Sequence, residues 1–299
     1  MNTGLSDPYR LDKQRLAVAF DRAASRYEER AVLQNTIAKR MANRLDLFKL
    51  QPAWILDGGA GTGFGARLLT KRYREARVLV LDLSHAMLIE ARRRAPRLWS
   101  RERYLRGDLE HLPIASASVD MVFTSLALQW CNDLDRAFRE CRRVLKLNGL
   151  FTFSTFGPDT LKELRTSWAA VDDKPHVHAF FDMHDIGDAL IRAGFSGPVL
   201  DVEHLTLTYS DVHAVMRDLK DIGAVNVSLG RRRGLTGKRN LTALRKQYEQ
   251  YRRNGVLPAT YEVVYGHAWA PDPHTRPQDG STVASFPISK LTRIKRPIP

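Results

Sequence analysis

The segment LDGGAGTGFG places Asp57, Gly59, Gly61 and Gly63 where a short apolar run, AWIL, gives way to a helical pattern. Glycine belongs at such a turn because the backbone must bend sharply and let a ligand approach with no Cβ in the way. A dinucleotide-binding loop is one use of that geometry. The acids around it point elsewhere. Asp57, just before the glycines, would repel a pyrophosphate but can accept hydrogen bonds from a cationic ligand or its bound water. Asp82 ends the next apolar run, about 20 residues on, where a carboxylate can accept both hydroxyls of a ribose. Asp108, in RGDLEHLP, ends a third short run. Three carboxylates around one crevice suit a nucleoside that carries a sulfonium and an ammonium group.

A second chemistry-bearing stretch is HAVMRDLKDIGAVNV, residues 213–227, with Arg217 and Lys220 among apolar neighbours. Val212, Val215, Met216 and Leu219 follow i, i+3, i+4, i+7 and point one stripe at a core. Arg217 and Lys220, three apart, share the flank beside it. That flank is either solvated, with Arg217 paired to Asp221 one turn on, or a holder for an anionic substrate. Tyr27, in FDRAASRY, sits on an N-terminal helix and is either a packing contact or part of a cover over the site. His176, His178 and His184 lie near Asp182 and Asp185. No metal is expected there, because the region reads as a loop running into a helix that Asp182 or Asp185 would cap.

These residues need a scaffold. Residues 11–50 show helical spacing in two blocks. After them ARVLVLDLS, SVDMVFTSLAL and GLFTFSTF are buried strands, separated by the helical stretches HAMLIEARRRA and LDRAFRECRRVLKL, the latter followed by an Asn-Gly turn. Strands alternating with helices imply an α/β fold, a doubly wound, mostly parallel sheet of Rossmann-like type, with ligands beyond the carboxyl ends of the strands. Residues 1–50 are read as N-terminal helices or a lid, 51–270 as the main domain with a helical insertion at about 157–240, and 271–299 as a flexible, basic, proline-rich tail. Within the insertion GPDTLKELRTSW and FFDMHDIGDALIRAGF read as helices and LDVEHLTLTY as a strand; VLPATYEVVYGHAWAP reads as the final strand.

With 43% hydrophobic and 27% charged residues over 299 positions, the composition is that of an ordinary globular chain. No run approaches the roughly 18 apolar residues of a membrane span, and no apolar leader opens the chain, so a cytoplasmic protein is expected. Cys131 and Cys141 have neither metal-site nor disulfide-framework spacing. A net charge of +14 favours a polyanionic partner. The clusters ARRRAPR and GRRRG lack the interleaved aromatics of a single-strand binding face, which argues against nucleic acid.

The set LDGGAGTG, LDLS, GDLEHLP and VDMVFTSLALQW, in this order and at these spacings, resembles the class I S-adenosylmethionine-dependent methyltransferases. The resemblance implies that Asp57, Gly59, Gly61 and Gly63 border the methionine end of S-adenosyl-L-methionine, that Asp82 with Leu83 holds the ribose, that Asp108 with Leu109 meets the adenine, and that Tyr27 closes over the cofactor. AFDRAASRYEERAVLQ, FGPDTLKEL, HVHAFFDMHDIGDALIRAGF, LTLTY and MRDLKDIGAVNV together are similar to the malonyl-[acyl-carrier protein] O-methyltransferases of biotin synthesis, from about residue 14 to 270; Ala60 stands where that family often has cysteine. The resemblance implies a carboxyl O-methyltransferase acting on a malonyl thioester carried by an acidic acyl-carrier protein. A carboxylate is ionised at neutral pH, so no general base is needed. In a dry site it does need a cation, and Arg217 and Lys220 become its expected anchors. Neighbouring alternatives are the methyltransferase-like arginine hydroxylases of respiratory complex assembly, a quinone or small-molecule methyltransferase, and a non-catalytic nucleic-acid-binding protein.

Overall fold

The computed structural model describes residues 7–96, 100–231, 234 and 236–271. In chain order its elements are α1 (Lys13–Arg30), α2 (Val32–Arg44), β1 (Trp54–Gly58), α3 (Phe64–Arg72), β2 (Arg77–Asp82), α4 (His85–Arg94), β3 (Glu102–Arg106), β4 (Val119–Ser125), α5 (Leu134–Val144), β5 (Leu145–Phe156), α6 (Lys162–Ala169), α7 (Met183–Arg192), β6 (Ser196–Tyr209), α8 (Val212–Asp221), α9 (Lys238–Glu249) and β7 (Leu257–Trp269). The seven strands form one sheet in the order β3-β2-β1-β4-β5-β7-β6. β1 to β5 pair in parallel, with Leu56 opposite Leu79 and Val122. β7 runs antiparallel between β5 and β6. The chain leaves β1 toward β2 and β3, then returns to the other side of β1 as β4. That reversal opens a crevice beyond the carboxyl ends of β1 and β4.

Helices cover both faces, which is why the central strands read as unbroken apolar runs. Ile37 and Met41 of α2 and Leu45 just after it, with Leu69 of α3, pack against one face over Ile55, Val78 and Met121. Phe138, Cys141 and Val144 of α5, with Ile186 and Leu190 of α7, cover the other over Leu56, Val122 and Phe151. The helix starts follow local chemistry. Asp12, Ser84, Asp133, Asp182 and Asp211 each cap a helix by accepting a backbone N–H from Arg15, Met87, Arg136, His184 and Ala214. Asp182, one of the two expected caps, is therefore the cap of α7.

Two expectations change. Helix α9, with Leu244 and Tyr248 buried, had no counterpart in the sequence reading. Asn148-Gly149 does not form a turn ahead of a strand. β5 already pairs at Leu145, its register slips opposite Val119 to Met121, and Asn148 (φ 57°) lies in the slipped stretch with its N–H donating to Ala270 O. Within residues 157–240, the strand read at LDVEHLTLTY is part of the 14-residue β6, which forms a sheet edge. The basic tail falls outside the described residues after Pro271. Among the described residues no helix is long and apolar enough to cross a membrane, and Cys131 and Cys141 are buried free thiols.

Candidate active site

One cavity sits over the carboxyl ends of β1, β2 and β4, beneath α1 and between α6 and α8. Its first end is built by the glycine turn. Gly59 and Ala60 donate to Leu81 O at 2.8 and 2.9 Å, which straps the turn to the end of β2. Gly59 has φ 70°, and a Cβ there would stand 2.2 Å from the Cβ of Ala127. Only glycine combines that conformation with that closeness. Gly61 lines the cavity under Tyr27, whose Cε1 lies 3.8 Å from the position a Cβ would take.

Asp82 reaches the same place from β2. Its Oδ2 accepts the Gly61 N–H and its Oδ1 the Ser84 N–H, both at 2.8 Å. Each oxygen keeps further lone-pair capacity toward the cavity, as acceptance of ribose hydroxyls requires. Burial pushes its pKa up to about 6, against the pull of those backbone N–H groups and with help from the nearby Asp21 carboxylate. Leu83, Asp108 and Leu109 line the same end. Asp108 is not open, because Lys13 Nζ of α1 lies 3.0 Å from its Oδ1 and 2.6 Å from Glu110 Oε2.

Asp57 and Gly63 do not line the cavity. The expected border role of Asp57 gives way to a buried one. Its carboxyl lies under the start of α3, beside Gly65 and Ala66, with Oδ2 buried and, among the described residues, without a hydrogen-bond partner. Burial pushes its pKa up to about 8, the Ala66 N–H opposing, so it stands protonated at neutral pH. Gly63 (φ 76°) is the N-cap of α3 and packs on Ala91 of α4. The crevice thus holds two of the three carboxylates, not three.

The cover over the site is fixed at both ends. Asp12 N donates to Val227 O, Leu229 N to Arg10 O, and Leu11 N to Asn132 Oδ1. Farther along α1, Asp21 accepts from Ser84 Oγ at 2.6 Å and Ala86 N at 3.0 Å, and Glu28 accepts from Thr62 Oγ1 and Arg67. Tyr27 is partly buried between these ties, and desolvation, with the Asp82 carboxylate beside it, raises its pKa. A chain of edge-to-face rings runs from it into the cavity: Tyr27 to Phe20 at 6.4 Å, Phe20 to Trp130 at 5.5 Å, Trp130 to His178 at 5.1 Å.

That chain leads to the second end, where Phe156, Leu161, Leu164, Phe180, Leu219 and Ile222 make an apolar wall with His176, His178 and Asn226 set in it. Arg217 and Lys220 are not part of the wall. Leu219 and Ile222 face the cavity, so the two cations fall on the exposed side of α8, and among the described residues neither forms an ion pair, the Asp221 pair included. The histidine group does not converge as a metal site would. His176 bonds Asp172, His178 bonds Ser228 and Val225 O, and His184 bonds its own cap Asp182. Asp159, His204 and Glu262 do come within 4.8 Å of one another, but Asp159 is paired with Lys162 and Glu262 accepts the Asp159 N–H.

Lys13, Phe20, Gln129, Trp130, His176 and His178 line the cavity without having been singled out as its wall by the sequence. Gln129 and Trp130 could have been found, since LALQW directly follows the end of β4, where this topology puts ligands. The others come from the cover and the insertion and carry no such signal.

A sheet with this order, a glycine turn at its switch point and a strand-end acid able to take a ribose define an S-adenosylmethionine-dependent methyltransferase of the α/β class. A family model described as "Methyltransferase domain" matches residues 56–153. The fold is also that of the YcgJ protein of Bacillus subtilis, with a TM-score of 0.55 and 17% identity over 79% of this chain and 99% of that one. The particular family follows from close relatives. The chain is 51% identical to the malonyl-[acyl-carrier protein] O-methyltransferases of Methylovorus sp. (94% of this chain, 97% of the relative) and of Laribacter hongkongensis (94% and 98%). It belongs to the malonyl-[acyl-carrier protein] O-methyltransferase family.

Proposed function

We propose that this protein transfers a methyl group from S-adenosylmethionine to the free carboxylate of a malonyl thioester on acyl-carrier protein, the masking step that lets biotin synthesis begin on an ordinary chain-elongation system. The observation that carries this reading is a single cavity. It joins the Gly59–Gly61 turn and Asp82 to an apolar chamber under α6 and α8, in a chain half-identical to enzymes of that name.

The residues present fit the donor. Gly59 and Gly61 leave room for its methionine part, Asp82 would accept from its ribose, and Leu83, Leu109 and Met87 offer apolar surface to its base. When bound it supplies an electrophilic methyl group on a sulfonium. A carboxylate oxygen forms the new bond to the methyl carbon while the carbon–sulfur bond breaks and its electron pair stays on sulfur. No proton moves, so the site requires no base; alignment in a dry chamber supplies the acceleration. α1, bearing Tyr27 and Lys13, acts as the lid over this end.

The carrier itself stays outside the chamber, since only its thioester arm can enter. With the chain at +14, an acidic carrier is steered to its surface. Arg217 and Lys220, exposed on α8 while Leu219 and Ile222 of the same helix face the chamber, are placed to meet it at the rim. The test is direct: purified protein, S-adenosylmethionine and malonyl-carrier, with the carrier followed by mass spectrometry. A gain of one methyl group on malonyl-carrier and none on acetyl-carrier is expected. S-adenosylhomocysteine binding without methyl transfer to malonyl-carrier would leave the fold and remove the acceptor assignment.

A further inference from the structure

We propose that His176 holds the acceptor's free carboxylate and so selects malonyl over uncharged acyl groups; this rests on the malonyl reading above. An anion brought into an apolar chamber needs a donor able to carry positive charge. Among the described residues three such side chains line the cavity: Lys13, His178 and His176. Lys13 is held at the cofactor end between Asp108 and Glu110. His178 has Nε2 3.3 Å from Val225 O and Nδ1 3.2 Å from Ser228 Oγ, and burial lowers its pKa, which keeps it neutral and occupied.

His176 is arranged differently. Its Nε2 bonds Asp172 Oδ1 at 2.7 Å, and its ring stacks on Trp168 at 3.8 Å with 6° between the planes. The stack and the bond fix the ring, and no hydrogen bond among the described residues engages Nδ1. With Asp172 accepting at Nε2, the imidazolium form of His176 would have Nδ1 as its second donor, for an anion in the chamber that the residue lines. One carboxylate oxygen bound there leaves the other free to attack the methyl group. Methylation neutralises the carboxylate, so the ester loses its charge-assisted contact and is released. The charged and titratable groups around the ring are Asp172, Asp173 and Lys174 on its own loop, Arg165 of α6, whose guanidinium donates to Pro158 O and Thr160 O, Tyr9, and His178 across the wall.

The test compares wild type with His176→Phe, which keeps the stack on Trp168, and His176→Gln, which keeps a neutral donor. With S-adenosylhomocysteine bound, wild type should bind malonyl-carrier at least tenfold more tightly than acetyl-carrier, and His176→Phe should bind the two alike. In turnover, His176→Phe should raise KM for malonyl-carrier about tenfold or more with S-adenosylhomocysteine affinity unchanged, and His176→Gln should fall between. An active wild type whose variants keep both the malonyl preference and KM overturns the assignment of His176. A wild type that binds S-adenosylhomocysteine but does not methylate malonyl-carrier overturns the acceptor reading instead. Thermal melting of both variants identifies any change caused by unfolding.

Discussion

The two ends of the cavity are built by opposite means. At the cofactor end the geometry is set by backbone: the glycine turn is tied to Leu81 O, and the Asp82 carboxylate is held by the N–H groups of Gly61 and Ser84. At the acceptor end it is set by side chains delivered by a loop and two inserted helices, with His176 fixed by Asp172 and Trp168 and an apolar wall from α6 and α8. A backbone-built site tolerates one residue type per position and belongs to a whole fold class. A side-chain-built site can be rebuilt without touching the sheet, which is how one fold accepts many substrates.

The sharpest way to break that comparison is at Gly59. Gly59→Ala puts a Cβ 2.2 Å from Ala127 at a positive φ, so cofactor binding should be abolished, read by calorimetry with S-adenosylhomocysteine. A variant that binds normally would show that the turn is adaptable. Next comes Asp82→Asn, which loses the charge that strengthens two ribose hydrogen bonds, each worth roughly 1.5–3 kcal/mol. A fall in affinity of about a hundredfold is expected, with malonyl-carrier binding little changed.

Wild type should show the same group by pH. Ionised Asp82 accepts from the ribose more strongly than its protonated form, so S-adenosylhomocysteine affinity should fall as pH drops below about 6. Stability of the free protein should respond in the other direction. Folding raises this carboxyl above its ordinary 3.8, so its contribution is full below that value and is lost as pH rises toward about 6. Opposite slopes of binding and melting between pH 4 and 6 would confirm that one buried carboxylate is both a strain on the fold and a ligand.

A smaller effect is expected at the rim. Arg217→Ala with Lys220→Ala should raise KM for malonyl-carrier a few-fold, more at low salt, and leave kcat alone, because exposed charges act on encounter and contribute about 1 kcal/mol or less. A loss in kcat of tens would mean that α8 turns its cations inward. Smallest is Asp57→Asn. With its carboxyl protonated at neutral pH, the amide is nearly isosteric, and melting temperature and cofactor affinity at pH 7 should barely move. A collapse of either would mean that Asp57 works as an anion.

Much of the cofactor end was legible because it depends on short-range rules. LDGGAGTG reads as a strand-to-helix glycine turn, Asp82 ends the strand beside it, and Asp108 lies two residues past the end of β3, the next strand out. What misled was treating three strand-end acids as equivalent. Asp57 and Asp82 end neighbouring parallel strands, yet one points under α3 and the other into the crevice, a difference in side-chain direction that spacing does not encode. Tyr27 was placed by its helix, whereas Lys13 on the same helix was not, because its partners Asp108 and Glu110 lie almost a hundred residues away.

By itself the sequence determined the class of fold, the methyl donor and the family, since alternation of strand and helix, glycine conformation and motif spacing are local properties. Only the tertiary structure decided which way α8 faces. Its apolar stripe goes to the core and chamber and its cations to solvent. Periodicity reports that a helix has two sides; which one meets the cavity depends on α1, α6 and the sheet it packs against. The same dependence on distant partners gave His176 its aspartate and tryptophan, and with them a definite orientation in the chamber wall.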